Sequence, residues 1–234
     1  ALIEGVMQAV NLTNTDVEGG AGQFAVSNTG TLIYATGGVG AMASSRLAWV
    51  DRQGKEQLLE TAPPAPFVGF RLSPDGQKVA AAVRRGATNR VTDIWIYDTV
   101  RGAPTRLTVD GGNYPVWSPD GRRVAYAAPN LHTIASDGGK PEPVVTSGNH
   151  FPSSWASGAN VLVFMEFTAG RRFWTVDMNQ RPSTPLLWLD TPFGASHADF
   201  SRDGRLIAYV SDESGDAAIY VRPFEGTGER VRVS

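Results

Sequence analysis

A turn-and-strand unit of about 45 residues recurs along this chain, and a fixed period in that range restricts the fold more than any single residue does. Five segments align: Val26-Ser-Asn-Thr-Gly-Thr-Leu-Ile-Tyr34, Leu72-Ser-Pro-Asp-Gly-Gln-Lys-Val-Ala80, Trp117-Ser-Pro-Asp-Gly-Arg-Arg-Val-Ala-Tyr126, Trp155-Ala-Ser-Gly-Ala-Asn-Val-Leu-Val-Phe164 and Phe200-Ser-Arg-Asp-Gly-Arg-Leu-Ile-Ala-Tyr209. The spacing is 46 residues from Gly30 to Gly76, 45 from Gly76 to Gly121 and 45 from Ala159 to Gly204. The step from Gly121 to Ala159 is only 38, which implies a shortened loop in that unit.

Each part of the unit has a physical role. A bulky apolar residue (Leu72, Trp117, Trp155, Phe200) closes a first strand. Ser-Pro-Asp-Gly then makes a tight turn: Pro presets φ, Asp can accept a bond from the backbone two residues on, and Gly accepts positive φ. Apolar second strands follow, such as Val79–Val83 and Leu206–Val210, then third strands such as Asp93-Ile-Trp-Ile-Tyr-Asp98 and Phe173-Trp-Thr-Val-Asp177. Short outer strands come last, including Thr105–Thr108, Pro143–Val145 and Pro185–Trp188. Four short antiparallel strands per unit make the blade of a β-propeller, and no stretch carries a helical period. The reading is therefore all-β, a propeller of about five four-stranded blades. Its expected segments are 23–66, 67–111, 112–149, 150–194 and 195–234, preceded by 1–22 as a stray strand (Leu2–Val6) and linker. The abundant Gly (26) and Pro (15) suit this many turns, and 41% hydrophobic residues suffice for a core in every blade.

The phrases Gly30-Thr-Leu-Ile-Tyr34, Leu47-Ala-Trp-Val-Asp-Arg-Gln-Gly-Lys55, Arg71-Leu-Ser-Pro-Asp-Gly76, Asp93-Ile-Trp-Ile-Tyr-Asp98, Arg106-Leu-Thr108 and Tyr220-Val-Arg-Pro-Phe224 resemble the TolB-like, WD-type (PD40) propellers of bacteria. Their order is closer still to the propeller fused C-terminally to membrane-anchored, eukaryotic-like serine/threonine kinases. The resemblance covers nearly the whole chain, and its motifs specify fold far more than activity. It implies a bacterial protein in the periplasm or another extracytoplasmic space. No kinase glycine loop or His-Arg-Asp loop is present. The departures are Ala156-Ser-Gly158, where the turn motif has decayed, and Ser27-Asn-Thr-Gly30, which lacks Pro. Family members need six or more blades to close, and the chain supplies five. Either the five close on themselves, or the ring is open and completed by oligomerisation, since open sheet edges pair with other chains. The chain lacks a leading Met and a signal-peptide pattern, and reads as an excised fragment.

A net charge of −2 gives no electrostatic reason to expect nucleic acid or an anionic membrane as partner. The absence of Cys excludes disulfides, thiolate catalysis and Cys-based zinc sites. No apolar run approaches the ~18 residues of a membrane helix.

Chemistry narrows to three histidines. His132 stands where a third strand expects an aromatic and reads as a packing residue. His150 and His197 lie at the start of first strands, in Asn149-His-Phe-Pro-Ser-Ser-Trp155 and Ser196-His-Ala-Asp-Phe200. His197 and Asp199 are two apart on a strand and so share a face. His150, His197 and Asp199 form a candidate set for a divalent metal, zinc or similar, with Asp199 also the candidate catalytic group. The blade repeat adds Arg71 and Tyr114 at corresponding positions, giving Arg71, Tyr114, His150 and His197 as candidate ligand-binding residues. The alternative reading makes the same side chains loop-end polar groups bonded to carbonyls.

Other motifs carry less. Gly19–Gly22 and Gly37–Gly40 do not join a strand to a helix, so they are not phosphate loops, and no Gly-x-Ser-x-Gly elbow exists. Asp75, Asp120 and Asp203 each belong to a turn. Asn11-Leu-Thr13 is a formal glycosylation triplet. Trp188 is the tryptophan expected to be exposed. The function expected is a non-catalytic recognition or sensor propeller that binds a protein, peptide or small ligand at its rim or channel. The rival is a metal-dependent hydrolase of esters, lactones or phosphotriesters.

Overall fold

A computed structural model describes residues 24–26, 30–36, 44–86, 91–167, 171–226 and 228–234. The Leu2–Val6 strand, the Asn11 triplet, both glycine-rich stretches and most of the Ser27–Gly30 turn lie outside the described residues. The architecture is all-β: five four-stranded antiparallel sheets arranged as propeller blades, with no helix among the described residues.

The chain divides into two compact units, Ala1–Pro115 and Val116–Ser234. The first unit holds two complete blades, β1(Phe24–Val26), β2(Leu32–Thr36), β3(Arg46–Val50), β4(Glu56–Leu58) and β5(Phe67–Leu72), β6(Lys78–Arg84), β7(Thr92–Asp98), β8(Thr105–Arg106). The third blade follows as β9(Asn113–Trp117), β10(Arg123–Ala128), β11(Asn130–Ala135), β12(Glu142–Val145), with β9 running across the unit boundary. The second unit continues with β13(His150–Trp155), β14(Val161–Phe167), β15(Arg171–Asp177), β16(Leu186–Thr191) and β17(Ala195–Phe200), β18(Leu206–Ser211), β19(Ala218–Pro223), β20(Val231–Arg232). Within each blade the strands pair in chain order, a meander that needs only tight turns between neighbours.

The middle strands are buried on both faces, which explains their continuous apolar runs. Val79, Ala80 and Ala81 of β6 have no exposure, nor do Leu162, Val163 and Phe164 of β14. Separate apolar clusters form between blades, one centred on Ile33, Leu47, Phe70 and Val79, another on Val163, Phe173, Ile207 and Tyr209. Trp49, Trp95, Trp155 and Trp174 flank these clusters half-buried, and Trp117 is buried.

Trp188 departs from expectation. It is half-buried, donates Nε1–H to the Phe224 carbonyl at 3.1 Å and packs edge-on against Phe173 and Tyr209. The exposed aromatics are instead Phe24, Tyr114, Phe167 and Phe193. The reason is tertiary: residues of the same blade and of the next one, Phe173, Tyr209 and Phe224, cover the indole.

The Ser-x-Asp turns form as their chemistry dictates. Ser73 donates to Asp75 at 2.6 Å, Ser118 to Asp120 at 2.6 Å and Ser201 to Asp203 at 2.7 Å. Each carboxylate also accepts the backbone N–H two residues on, from Gln77, Arg122 and Arg205. Those bonds hold all three carboxyls below the usual range, Asp203 at about 2. The glycines at the fourth turn position have positive φ: 75° at Gly76, 69° at Gly121 and 71° at Gly204.

Candidate functional site

First strands of neighbouring blades meet within each unit: β1 lies against β5 in the first, and β13 against β17 in the second. Three of these strands depart from regular pleating within the four residues before their closing apolar residue. The register shifts between Phe67 and Gly69, between Pro152 and Ser154, and between Ser196 and Asp199. A bulge of this kind bends the strand and re-aims a side chain.

Two blades take the distortion further. Tyr114 has φ of 54° and His197 a φ of 55°, the left-handed region that non-glycine residues seldom occupy, Asn, Asp and His more often than the rest. The two residues stand at the same repeat position, three before Trp117 and Phe200 respectively. Tyr114 is 51% exposed, and His197 is exposed with its Nδ1 2.8 Å from Ser196 Oγ. A left-handed conformation costs roughly 1–2 kcal/mol per residue, and only the surrounding structure can impose it.

Asp199 is also exposed, with the buried Ala198 between it and His197. Ser154 of β13 donates to Asp199 at 2.6 Å, and its Oγ accepts the Phe200 N–H at 3.2 Å, tying two first strands together. Ser154 occupies in its blade the position that Asp199 and Arg71 occupy in theirs. The same alignment that singled out Arg71 could therefore have found it. Arg71 is exposed and donates to the neighbouring Phe70 carbonyl at 3.1 Å.

His150 behaves differently. It opens β13 but is only 5% exposed, set edge-on against Phe164 with ring centroids 5.1 Å apart. Its cross-strand partner is Glu166, Nε2 to Oε1 4.0 Å, and Glu166 also accepts Trp174 Nε1–H at 3.0 Å. Burial lowers the His150 pKa below its usual value, and the nearby Glu166 only partly opposes this. His150 thus sits in a packed interior while His197 and Asp199 face outward. Among the described residues no three His, Asp or Glu side chains gather as a metal ion would require. His132 packs as expected: it stacks on Tyr126 at 5.7 Å, and its Nδ1 lies 3.0 Å from the Asn130 carbonyl.

The sequence matches no family model and no curated protein. Solved structures do match. A protein assigned as TolB from Agrobacterium tumefaciens superposes with a TM-score of 0.72 at 17% identity, over 89% of this chain and 79% of that one. TolB from Acinetobacter baumannii gives 0.71 at 14% identity, over 91% of this chain and 54% of that one. The fold is a TolB-like β-propeller. At such identities the likeness is one of fold, and the same fold also carries enzymes. An oligogalacturonate lyase in complex with manganese superposes on this TolB-like propeller with a TM-score of 0.62 at 17% identity, over 86% of this chain and 61% of that one. Function therefore has to be argued from the side chains. No helix among the described residues is long and apolar enough to cross a membrane.

Proposed function

We propose that this propeller is a non-catalytic recognition module whose protein, peptide or small-molecule ligand contacts exposed first-strand residues within one unit, Arg71 and Tyr114 in the first or His197 and Asp199 in the second. The observation that carries the reading is the pair Tyr114 and His197. Both are exposed, both stand at one repeat position, and both are held at a positive φ that lowers stability. Strain kept at exposed, aromatic and imidazole-bearing positions is characteristic of sites used for binding. Arg71 and Asp199 add charges of opposite sign at a second repeat position. The resemblance to kinase-fused propellers extends the proposal to an extracytoplasmic sensor. The burial of His150 weighs against the hydrolase alternative, because it removes one of the two imidazoles from the outward face.

The test uses Tyr114→Gly and His197→Gly. Each should raise unfolding free energy by about 0.5–1 kcal/mol, since glycine accepts positive φ without the Cβ penalty. Peptides selected on the wild-type protein from a displayed random library should lose most of their affinity for one or the other variant. Undiminished binding by both variants, or a loss of stability on introducing glycine, would overturn the reading.

A further inference from the structure

The second unit contains a cavity of about 300 Å³ at the opposite end of β13 from His150. Its walls are the Ser118–Asp120 turn, Arg123, Trp155, Ser157, Asn160, Met178 and Arg181. This volume is at the small end of ligand sites.

The departure from the repeat at 156–159 shapes this place. The other turns put a glycine with positive φ at the fourth position, but here that residue is Ala159, and the left-handed conformation moves one residue on to Asn160, φ 51°. Asn160 tolerates it, and the shift puts its amide to use. Oδ1 accepts Trp155 Nε1–H at 2.8 Å, and Nδ2 donates to Asn179 at 2.8 Å. The altered turn thereby fixes an indole in the cavity wall.

The amide acceptor at the cavity is engaged, and so is one of the two carboxylate oxygens of Asp120. Asp120 Oδ1 accepts from Ser118 and from the Arg122 N–H, and the Asn160 amide is used on both sides. Donors are left over. Arg123 pairs with Glu142 at 2.8 Å and donates to Thr133, yet its buried Nε has no hydrogen-bond partner. Arg181 donates Nη1 to the carbonyls of Met178 and Gln180 and to Ser183 Oγ, and no carboxylate among the described residues pairs with it. An indole, a thioether and a guanidinium without a carboxylate partner suit a flat, apolar ring carrying an anionic oxygen group.

We infer that this cavity is a binding site for a small aromatic carboxylate, its ring against Trp155 and Met178 and its carboxylate on Arg181. It is separate from the first-strand surface of the proposed function. Benzoate is the probe, followed by calorimetry and tryptophan fluorescence, with benzylamine as the comparator of equal ring and opposite charge. Benzoate should bind saturably, benzylamine at least tenfold more weakly, and Arg181→Ala should weaken benzoate tenfold or more. Arg181 is exposed outside any strand and its three bonds reach only residues within three positions, so its removal should lower the thermal midpoint by at most a few degrees. The Tyr114→Gly/His197→Gly variant should bind benzoate as the wild type does, which separates the two sites. Absence of saturable binding, equal binding of benzylamine, or unchanged affinity in Arg181→Ala would each overturn the assignment.

Discussion

The carboxylate of Asp93, 2% exposed, receives Arg85 Nε at 2.6 Å, Arg85 Nη2 at 2.7 Å, Arg106 Nη2 at 2.6 Å and the Gly111 N–H at 3.2 Å. Burial opposes its ionisation, but the bonds from Arg85 and Arg106 outweigh that and hold the carboxyl below its usual value. The arginines are themselves about one-third exposed, 34% and 37%, so solvent screens the pair in part. Asp93→Asn keeps the shape and removes the charge. It should cost about 2 kcal/mol, less than a fully buried broken pair, and lower the thermal midpoint by roughly 4–8 °C. A midpoint within a degree of wild type would show that the network is worth no more than a surface pair. The Asp93-Ile-Trp phrase is visible in the sequence, yet its two arginine partners are not, because Arg85 and Arg106 reach Asp93 only through the pairing of β6, β7 and β8.

The turn between β13 and β14 has lost the motif but keeps a left-handed residue, one position on at Asn160. Asn160→Gly keeps the left-handed backbone and gives up the two amide bonds, whereas Asn160→Ala loses both the bonds and the favoured conformation. Asn160→Ala should therefore destabilise the protein by about 1 kcal/mol more than Asn160→Gly, as read from paired urea titrations. Equal losses would mean that the backbone at 160 is unstrained. From sequence, 156–159 is merely a decayed Ser-Pro-Asp-Gly. The relocation of positive φ to Asn160 depends on which residue the Trp155 indole can reach, and the folded blade sets that. Strand ends were less legible for the same reason: β8 stops at Arg106 and β20 covers only Val231–Arg232, since outer strands last only as long as their single partner runs beside them.

For the whole molecule, pH links these groups. Asp75, Asp120, Asp203 and Asp93 all have folded pKa values below the unfolded carboxylate value of 3.8, so they stabilise the fold above that pH. This contribution is lost as pH falls through the folded values, toward about 2 for Asp203. His150 acts in a higher window. Its folded pKa lies below 6.5, so the unfolded chain binds the proton first, and stability declines as pH drops below 6.5 toward the folded value. Urea midpoints should thus fall in two stages, one beginning near pH 6.5 and one below pH 4, and His150→Phe should flatten the first stage alone. A first stage that survives in His150→Phe would assign it elsewhere. The blades, their order, the Ser-x-Asp turns and the all-β class were set by the sequence alone, because they rest on local periodicity and on turn chemistry within six residues. Tertiary structure decided that His150 is buried while His197 and Asp199 face outward, that Ser154 joins two first strands, and that Tyr114 and His197 adopt left-handed backbones. Those properties depend on bulges, cross-strand register and desolvation, which bring together residues far apart in the chain and leave no local pattern to read.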